Sequence, residues 1–376
     1  MRILVWNVNG LVSHPPAQVL ACPLRRCVGP AAAALTRGCG TDVAQPPTAR
    51  NAILRHKSMK AFFESYGADV VCFQEVKIPE EKLTEQFACV DGYESFWSFP
   101  KDRKGYSGVT TWVKLQFSPV SAEVDCLGLG DGDIDREGRL VVTDFGAFVL
   151  INLYAPNAGE APLRPRLDFK LRFFEALQAK VESLTDAGRQ VVLVGDFNIA
   201  LEVRDVHPVF DHASLYGPEE VNALRRITSD CLDVWRHLHP DRTGVYTVWN
   251  ERKSHREVNQ GLRIDYALCS KGFLDKVVSC EILDSPRKWS DHAALMLELK
   301  DIVPKPGRIP CDLSSRKMKK FKKQTTIMSM FSKKRTAEAP NDANLGARKQ
   351  RTSDLQACEG HKGECSEKSP EDQAAK

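Results

Sequence analysis

An α/β fold of two sheets faced by helices is predicted for the body of the chain by three observations. Short apolar runs rich in Val, Ile and Leu recur up to about residue 300, each bounded by polar residues. Stretches of helical period lie between them. From Pro304 onward the composition turns to Lys, Ser and Pro with few large apolar residues, which predicts a disordered basic C-terminal tail.

The runs read as strands are 2–8, 69–74, 108–113, 140–143, 148–154, 190–194, 264–269, 277–283 and 293–299. Residues 163–184 read as a helix, because Leu167, Leu171, Phe174, Leu177 and Val181 fall along one face. Residues 51–66 and 218–229 are the other helices expected. Residues 13–50, rich in Pro, Ala, Cys and Gly and without a period, read as an inserted loop. The expected layout is a catalytic domain over 1–300, a disordered basic linker over 301–357 and a terminal segment over 358–376.

A chain of 376 residues, 42% hydrophobic, can bury a sizeable core, and no apolar run is long enough to cross a bilayer. The start lacks the pattern of an export signal, so the twelve cysteines read as reduced thiols of the cytosol or nucleus. The net charge of +4 is uneven. Residues 301–376 hold 17 Lys and Arg against 10 Asp and Glu, a net of +7, which leaves −3 for the body. An acidic pocket in such a body suits a cation rather than a bare phosphate.

Carboxylates and amides fall just past the apolar runs: Asn7 and Asn9, Glu75, Asp196 and Asn198. Asp265 sits at the start of a run, and Asp291 and His292 precede one. Singly, each has a plain alternative as a turn, a hairpin signal or a strand cap. Together, acidic groups gathered at strand ends call for a shared cation. Oxygen donors favour Mg²⁺ or Mn²⁺ over zinc, since no Cys/His pair in the body has zinc spacing. Phosphodiester hydrolysis needs a Lewis acid, an activated water and a stabilised leaving group. Glu75 can anchor the metal, Asp196 can act as base on water with Asn198 orienting it, and His292, held by Asp265, can bond the phosphate oxygen. Asp-His chemistry of covalent hydrolases is disfavoured, because no Ser or Cys sits in a nucleophile elbow.

The ordered set Trp6-Asn7-Val8-Asn9-Gly10, Gln74-Glu75-Val76-Lys77, Gly105-Tyr106-Ser107-Gly108-Val109, Glu137-Gly138-Arg139, Tyr154-Ala155-Pro156-Asn157, Gly195-Asp196-Phe197-Asn198-Ile199-Ala200, Arg263-Ile264-Asp265-Tyr266 and Ser290-Asp291-His292 resembles the endonuclease/exonuclease/phosphatase superfamily. Within it the set resembles the exonuclease III branch of apurinic/apyrimidinic endonucleases. The resemblance implies a four-layer, two-sheet α/β sandwich of the deoxyribonuclease I type. It implies a monomeric DNA repair enzyme that cuts on the 5′ side of abasic sites and trims 3′ ends, with one or two Mg²⁺ or Mn²⁺ ions. Asn7, Glu75 and Asp291 would lie in the metal cradle. Asp196 and Asn198 would handle the nucleophilic water, with a second metal position shared by His292. Tyr154 would support the phosphate or leaving group, Asp265 would orient His292, and Tyr106, Asn157 and Trp249 would contact DNA.

The departures bear on activity. Asn9 stands where the major human-type enzyme of the branch has an aspartate. Val248 and Leu262 replace aromatics around the abasic-sugar pocket, and Glu160 replaces an arginine that enters the duplex. A carboxylate there opposes phosphates, so 3′-end activities are expected to outweigh abasic-site incision.

In the tail, the basic cluster 316–323 suggests nuclear import or DNA contact. Residues 324–331 resemble the box that docks on the sliding clamp, proliferating cell nuclear antigen, with Gln324, Ile327, Met330 and Phe331 as its contacts. Cys358, His361 and Cys365 resemble the opening of a GRF-type zinc finger, but no fourth ligand follows, so bound zinc is not expected. The alternatives are a clamp-binding adaptor that has lost nuclease activity and a retroelement-type endonuclease. Asn9 favours the first, while the acidic set argues against it. No reverse-transcriptase segment follows to favour the second.

Overall fold

The apolar runs become strands with both faces covered, so alternate residues enter different cores. A computed structural model describes residues 1–11, 53, 55–128, 133–286, 289–305 and 307–321. One sheet holds β1 (Arg2–Asn7), β2 (Val70–Gln74), β3 (Tyr93–Ser98), β4 (Val109–Lys114), β13 (Val277–Leu283) and β14 (Ala294–Leu299) in the order β13-β14-β1-β2-β4-β3. The other holds β5 (Ser121–Val124), β6 (Leu140–Asp144), β7 (Val149–Tyr154), β8 (Val191–Asp196), β9 (Cys231–Asp233) and β12 (Asp265–Ser270) in the order β5-β6-β7-β8-β12-β9. A ribbon of β10 (Val248–Trp249) and β11 (Gly261–Leu262) stands apart.

Each sheet has one parallel pair near its centre, β1 with β2 and β7 with β8. Ile3, Val5, Val70, Cys72, Leu150, Val192, Val194, Ala267 and Leu297 meet between the sheets in one core. Leu4, Trp6, Val71 and Phe73, pointing the other way, pack beneath helix α1 (Met59–Ser65). Helices α2 (Leu167–Asp186) and α3 (Pro218–Asp230) cover the far face of the second sheet through Phe173, Leu177, Leu224 and Ile227. The result is the expected four-layer sandwich. Large apolar side chains on both faces of each central strand leave no other stable arrangement.

Element ends moved where local chemistry overrides periodicity. The helix expected over 51–66 is interrupted at Lys57, whose φ of 67° is left-handed, and restarts at Met59 behind the Ser58 cap. The helix expected from residue 163 starts at Leu167, because Arg164 has φ 33° and the residue before Pro165 is barred from helix. Strands β3 and β5 escaped the sequence reading: Tyr93-Glu94-Ser95 looks polar, and β5 is a short, half-exposed edge.

The linker expected to be disordered from residue 301 is a correction. Within the described residues, 307–321 belongs to the same compact unit as the body. Arg316, expected as part of a solvated basic run, donates from Nε to the carbonyl of Tyr93 (2.7 Å) and from Nη2 to that of Val90 (3.0 Å). Buried Ser315 donates to the Ala88 carbonyl and accepts from Ser95, while Met318 and Phe321 pack on the outer core. Met318 and Phe321, two apolar residues set among lysines, add to the polar anchors of Ser315 and Arg316. The inserted loop, the clamp-box residues 324–331 and the cysteines of 358–376 lie outside the described residues.

Arg316→Ala should therefore lower stability by about 1–3 kcal/mol, since it removes two hydrogen bonds from a charged donor to backbone carbonyls. Urea unfolding monitored by tryptophan fluorescence would check this, and an unchanged midpoint would return Arg316 to the solvated run.

Candidate active site

The alternation that fills the inter-sheet core also builds the site. Asn7 continues the inward face of Ile3 and Val5. Tyr154 follows Leu150 and Asn152, Asp196 follows Val192 and Val194, and Asp265 precedes Ala267 and Cys269. At one end of the sandwich the inner face thus turns from apolar to polar. Strand register sets the neighbours: Asp196 lies opposite Tyr154 on one side and Asp265 on the other, while Asn7 lies opposite Gln74. A polar bridge joins the sheets below this rim, with Gln74 Nε2 donating to Asn152 Oδ1 (2.6 Å) and Asn152 Nδ2 to the Thr110 carbonyl (2.9 Å).

Several of these turns need backbone that most residues avoid. Asn9, Glu75, Lys77, Ser107 and Asn198 all have positive φ, between 47° and 55°. Such conformations cost about 1–3 kcal/mol each and persist where the surroundings fix them. Gly195 is required outright. Its φ is 132°, and an added Cβ would lie 2.0 Å from the Leu153 carbonyl oxygen.

The side chains form one web. Asn7 Nδ2 donates to Glu75 Oε1 and to Asp196 Oδ2, both at 2.9 Å. The Asn9 backbone N–H donates to Asn7 Oδ1 (3.1 Å), and Asn9 Nδ2 donates to Asp291 Oδ1 (3.1 Å). His292 Nδ1 donates to Asp265 Oδ2 at 2.8 Å, and its Nε2 faces Asp196 Oδ2 at 3.9 Å. Ser290 Oγ donates to the Asn7 carbonyl and accepts the His292 N–H, which locks the Asp291-His292 turn to β1.

Charge follows from this packing. Burial would push the His292 imidazolium down, but the charge and hydrogen bond of Asp265, with the charges of Asp196 and Asp291, together raise the group to about 10. The ring is then a cation at neutral pH, and both nitrogens are donors. Burial and the neighbouring Asp265 push Asp196 up to about 7 against the pull of His292. Burial would raise Glu75 as well, yet Lys77 and Asn7 hold it below its ordinary value. Burial and the Glu75 charge hold the Tyr154 phenol well above its usual range.

Asn198 approaches Asp196 through its main chain. Its backbone N–H, not its side chain, donates to Asp196 Oδ1 (2.8 Å), while Nδ2 donates to the Ala155 carbonyl. Its Oδ1 accepts from Asn157 Nδ2 at 3.3 Å, which brings exposed Asn157 to the rim. Tyr106 Oη accepts from Arg139 Nη2 and Arg166 Nη1, and both guanidinium groups also hold Glu137. Arg139 lies over the Tyr154 ring at 4.7 Å. Trp249 donates its backbone N–H to the Asp291 carbonyl, and Arg256 stacks on its ring. Val248 bridges to His292 and pairs with Leu262, so both flank the site as an apolar wall.

Lys77 is the residue that sequence reasoning passed over. Its Nζ lies 2.8 Å from Glu75 Oε2 and also donates to Asn9 Oδ1. Two oxygens that would serve a metal thus already converge on a cation. The buried trio Asp196, Asp265 and His292 also has ligand spacing. His292 and Asp265 are engaged with each other, though, so the oxygen set of Glu75, Asn7, Asn9 and Asp291 suits a hard cation better. Asp265 Oδ1 is buried and has no hydrogen-bond partner among the described residues.

A fold of two stacked sheets with acidic and amide groups at one inner rim defines a class of metal-assisted phosphoesterases. Residues 4–292 match the model of the Endonuclease/Exonuclease/phosphatase family, and the chain belongs to that family. It is 31% identical over 342 residues to the DNA-(apurinic or apyrimidinic site) endonuclease 2 of Schizosaccharomyces pombe, covering 80% of this chain and 58% of the relative. It is 29% identical over 339 residues to the human protein of the same name, covering 78% of this chain and 58% of the relative. The chain thus spans about 58% of the length of both relatives. The crystal structure of the Xenopus laevis APE2 catalytic domain is similar at a TM-score of 0.67 and 25% identity, covering 86% of this chain and 99% of that one. An AP endonuclease from Archaeoglobus fulgidus shares the fold at a TM-score of 0.59 and 22% identity, covering 80% of this chain and 99% of that one.

Gly195→Ala should cost at least ~3 kcal/mol, because a backbone oxygen cannot yield to the new methyl group. Chemical denaturation measures it, and a loss below ~1 kcal/mol would mean that the turn before Asp196 is not held as described.

Proposed function

We propose that this chain is a DNA repair nuclease that hydrolyses phosphodiester bonds at abasic sites and at 3′ ends with a bound divalent cation. The observation that carries the reading is the convergence of Glu75, Asp196, Asp265 and Asp291 at one inner rim, where the charges nearest to hand are those of His292 and Lys77. A phosphodiester is an anion and would be repelled by a rim with more negative than positive charge. A bound Mg²⁺ or Mn²⁺ reverses that balance and polarises the phosphate.

Glu75 and Asp291 would hold the cation with Asn7, and Asn9 supplies an amide where a carboxylate would bind more strongly. Asp196, with an ordinary carboxyl pushed up to about 7, is suited to take a proton from an attacking water near neutral pH. Asn7 Nδ2 and the Asn198 N–H hold its two oxygens so that the carboxylate cannot rotate. His292, cationic and aimed by Asp265, presents Nε2 to a phosphate oxygen as charge develops. Tyr154, kept protonated, can donate its hydroxyl to the phosphate or leaving oxygen. Tyr106, held from beneath by buried Arg139 and by half-buried Arg166, would contact the DNA backbone, and Asn157 extends that surface. Exposed Glu160, on the connection that follows Asn157, opposes the phosphates of an intact duplex, which favours 3′ ends over internal sites. The two relatives' names and the Xenopus catalytic domain support DNA as the substrate.

We extend the proposal to a monomer acting in the nucleus, docked on the sliding clamp through Gln324, Ile327, Met330 and Phe331. It rests on the sequence of a segment outside the described residues.

Two 5′-labelled duplexes test the reading, one with an internal abasic analogue and one with a recessed 3′ mismatch. Both should be cut in Mg²⁺ or Mn²⁺ and neither in chelator, with the mismatch cut faster. Asp196→Ala should lower both rates by about 10²–10⁴-fold. Turnover that survives the substitution would refute the site, and faster cutting of the abasic duplex would refute the 3′ preference.

A further inference from the structure

Two buried charged side chains take no part in the chemistry just described. Lys170 near the start of α2 and Glu220 in the first turn of α3 are each 1% exposed. Their Nζ and Oε1 lie 2.7 Å apart. The pair does not close on itself. Lys170 Nζ also donates, at 2.8 Å, to the backbone carbonyl of Asn198. On its other side Glu220 Oε2 accepts from Arg164 Nη1 (2.9 Å) and from the Gly217 N–H (3.0 Å).

The acceptor matters more than the pair. Asn198 is left-handed, at φ 53°, and ends the Asp196-Phe197-Asn198 turn. That conformation is not self-supporting, and it carries the Asn198 carbonyl to Lys170 while the N–H of the same residue donates to Asp196 Oδ1. The Phe197 N–H is tied to the Ile264 carbonyl, and the Asp196 carbonyl accepts from the Ala155 N–H. Lys170 therefore holds the main chain at the far end of a turn whose near end is pinned by the sheet, where the Asn198 side chain adds its bond to the Ala155 carbonyl. An ion pair that served only to join two helices could be replaced by apolar side chains without loss. This one directs an N–H bond to the turn, and an apolar pair cannot supply it.

We propose that Lys170, held by Glu220, is a positioning residue that sets the Asp196–Asn198 turn from behind. The inference rests on the reading of that turn as the place of water attack. Through Arg164, which also reaches the Ser214 carbonyl, the same pair connects the turn to the loop that carries Asn157 and Glu160. Freed of the ammonium, the Asn198 carbonyl relaxes and the Asp196 carboxylate loses one of its two anchors. A displacement of about 1 Å at such a group costs on the order of 100-fold in rate.

The test compares full-length wild type, Lys170→Met and the double variant Lys170→Met/Glu220→Leu, with three readouts: Tm, steady-state kinetics on the 3′-mismatch duplex, and the side-chain amide resonance of Asn198 in ¹⁵N-asparagine-labelled protein. Lys170→Met should lower Tm and shift the Asn198 resonance. Its kcat should fall about 30- to 100-fold while KM stays within about twofold. The double variant, free of an unpaired buried carboxylate but without the acceptor of Arg164 and the Gly217 N–H, should recover part of the lost Tm and neither kcat nor the resonance. Recovery of all three by the double variant would overturn the inference. So would a Lys170→Met protein with kcat within about threefold of wild type and an unmoved Asn198 signal. Should Lys170→Met not fold, the double variant alone decides by the same readouts. If the wild type cuts no duplex, the nuclease reading fails, and the Asn198 resonance then decides this inference on its own.

Discussion

The bond between His292 Nδ1 and Asp265 Oδ2 is the interaction on which the rim depends. Antiparallel pairing of β8 with β12 sets Asp196 directly opposite Asp265, with both side chains buried on the inner face. Two carboxylates in that position repel, and neither can be hydrated. The imidazolium, 2.8 Å from one and 3.9 Å from the other, makes the pairing tolerable. On the opposite flank Lys77 does the same for Glu75. Both cations are donors aimed by their acidic partners, so stabilising the fold and preparing the site are one arrangement.

The layers around the rim explain why it stays in register. Outer helices seal the far faces of both sheets, so the inner face is free to become polar only at its end. There the Gln74–Asn152 bridge fixes one sheet against the other within a residue of Glu75. Left-handed turns at Asn9, Glu75 and Asn198 then bend the chain away from the sheets while leaving their side chains directed inward. A mixed sandwich thus converts strand alternation, a property of the backbone, into a cluster of acidic and amide groups that are distant in sequence.

Much of this was legible in the sequence because it follows from periodicity. The central strands are long apolar runs, and Asn7, Asp196 and Asp265 sit where alternation continues the inner face, while Glu75 and His292 lie on the turns just outside it. The pairing of His292 with Asp265 was also expected, and the structure places them in contact. What escaped reading depends on contacts between residues far apart in the chain. Lys77 looks like any surface lysine until Asn9 is beside it, and Arg316 looks like part of a basic run until its guanidinium is seen to cap two carbonyls of β3 and its approach. That Asn198 bonds Asp196 through its backbone N–H is instead a matter of local chain conformation that residue types do not show. Lys170 carried no signal at all, since a lysine on an otherwise apolar helix face reads as a boundary position.

The central claim is that the acidic rim is a cation site created by the meeting of the two sheets. Thermal unfolding of the substrate-free protein in chelator, Mg²⁺ and Mn²⁺ tests it most directly. The account predicts that saturating divalent cation raises Tm, by an amount that grows with concentration as mass action requires, and that Glu75→Gln removes most of the rise. A wild-type Tm unmoved by either ion, or a rise that Glu75→Gln leaves intact, would contradict it.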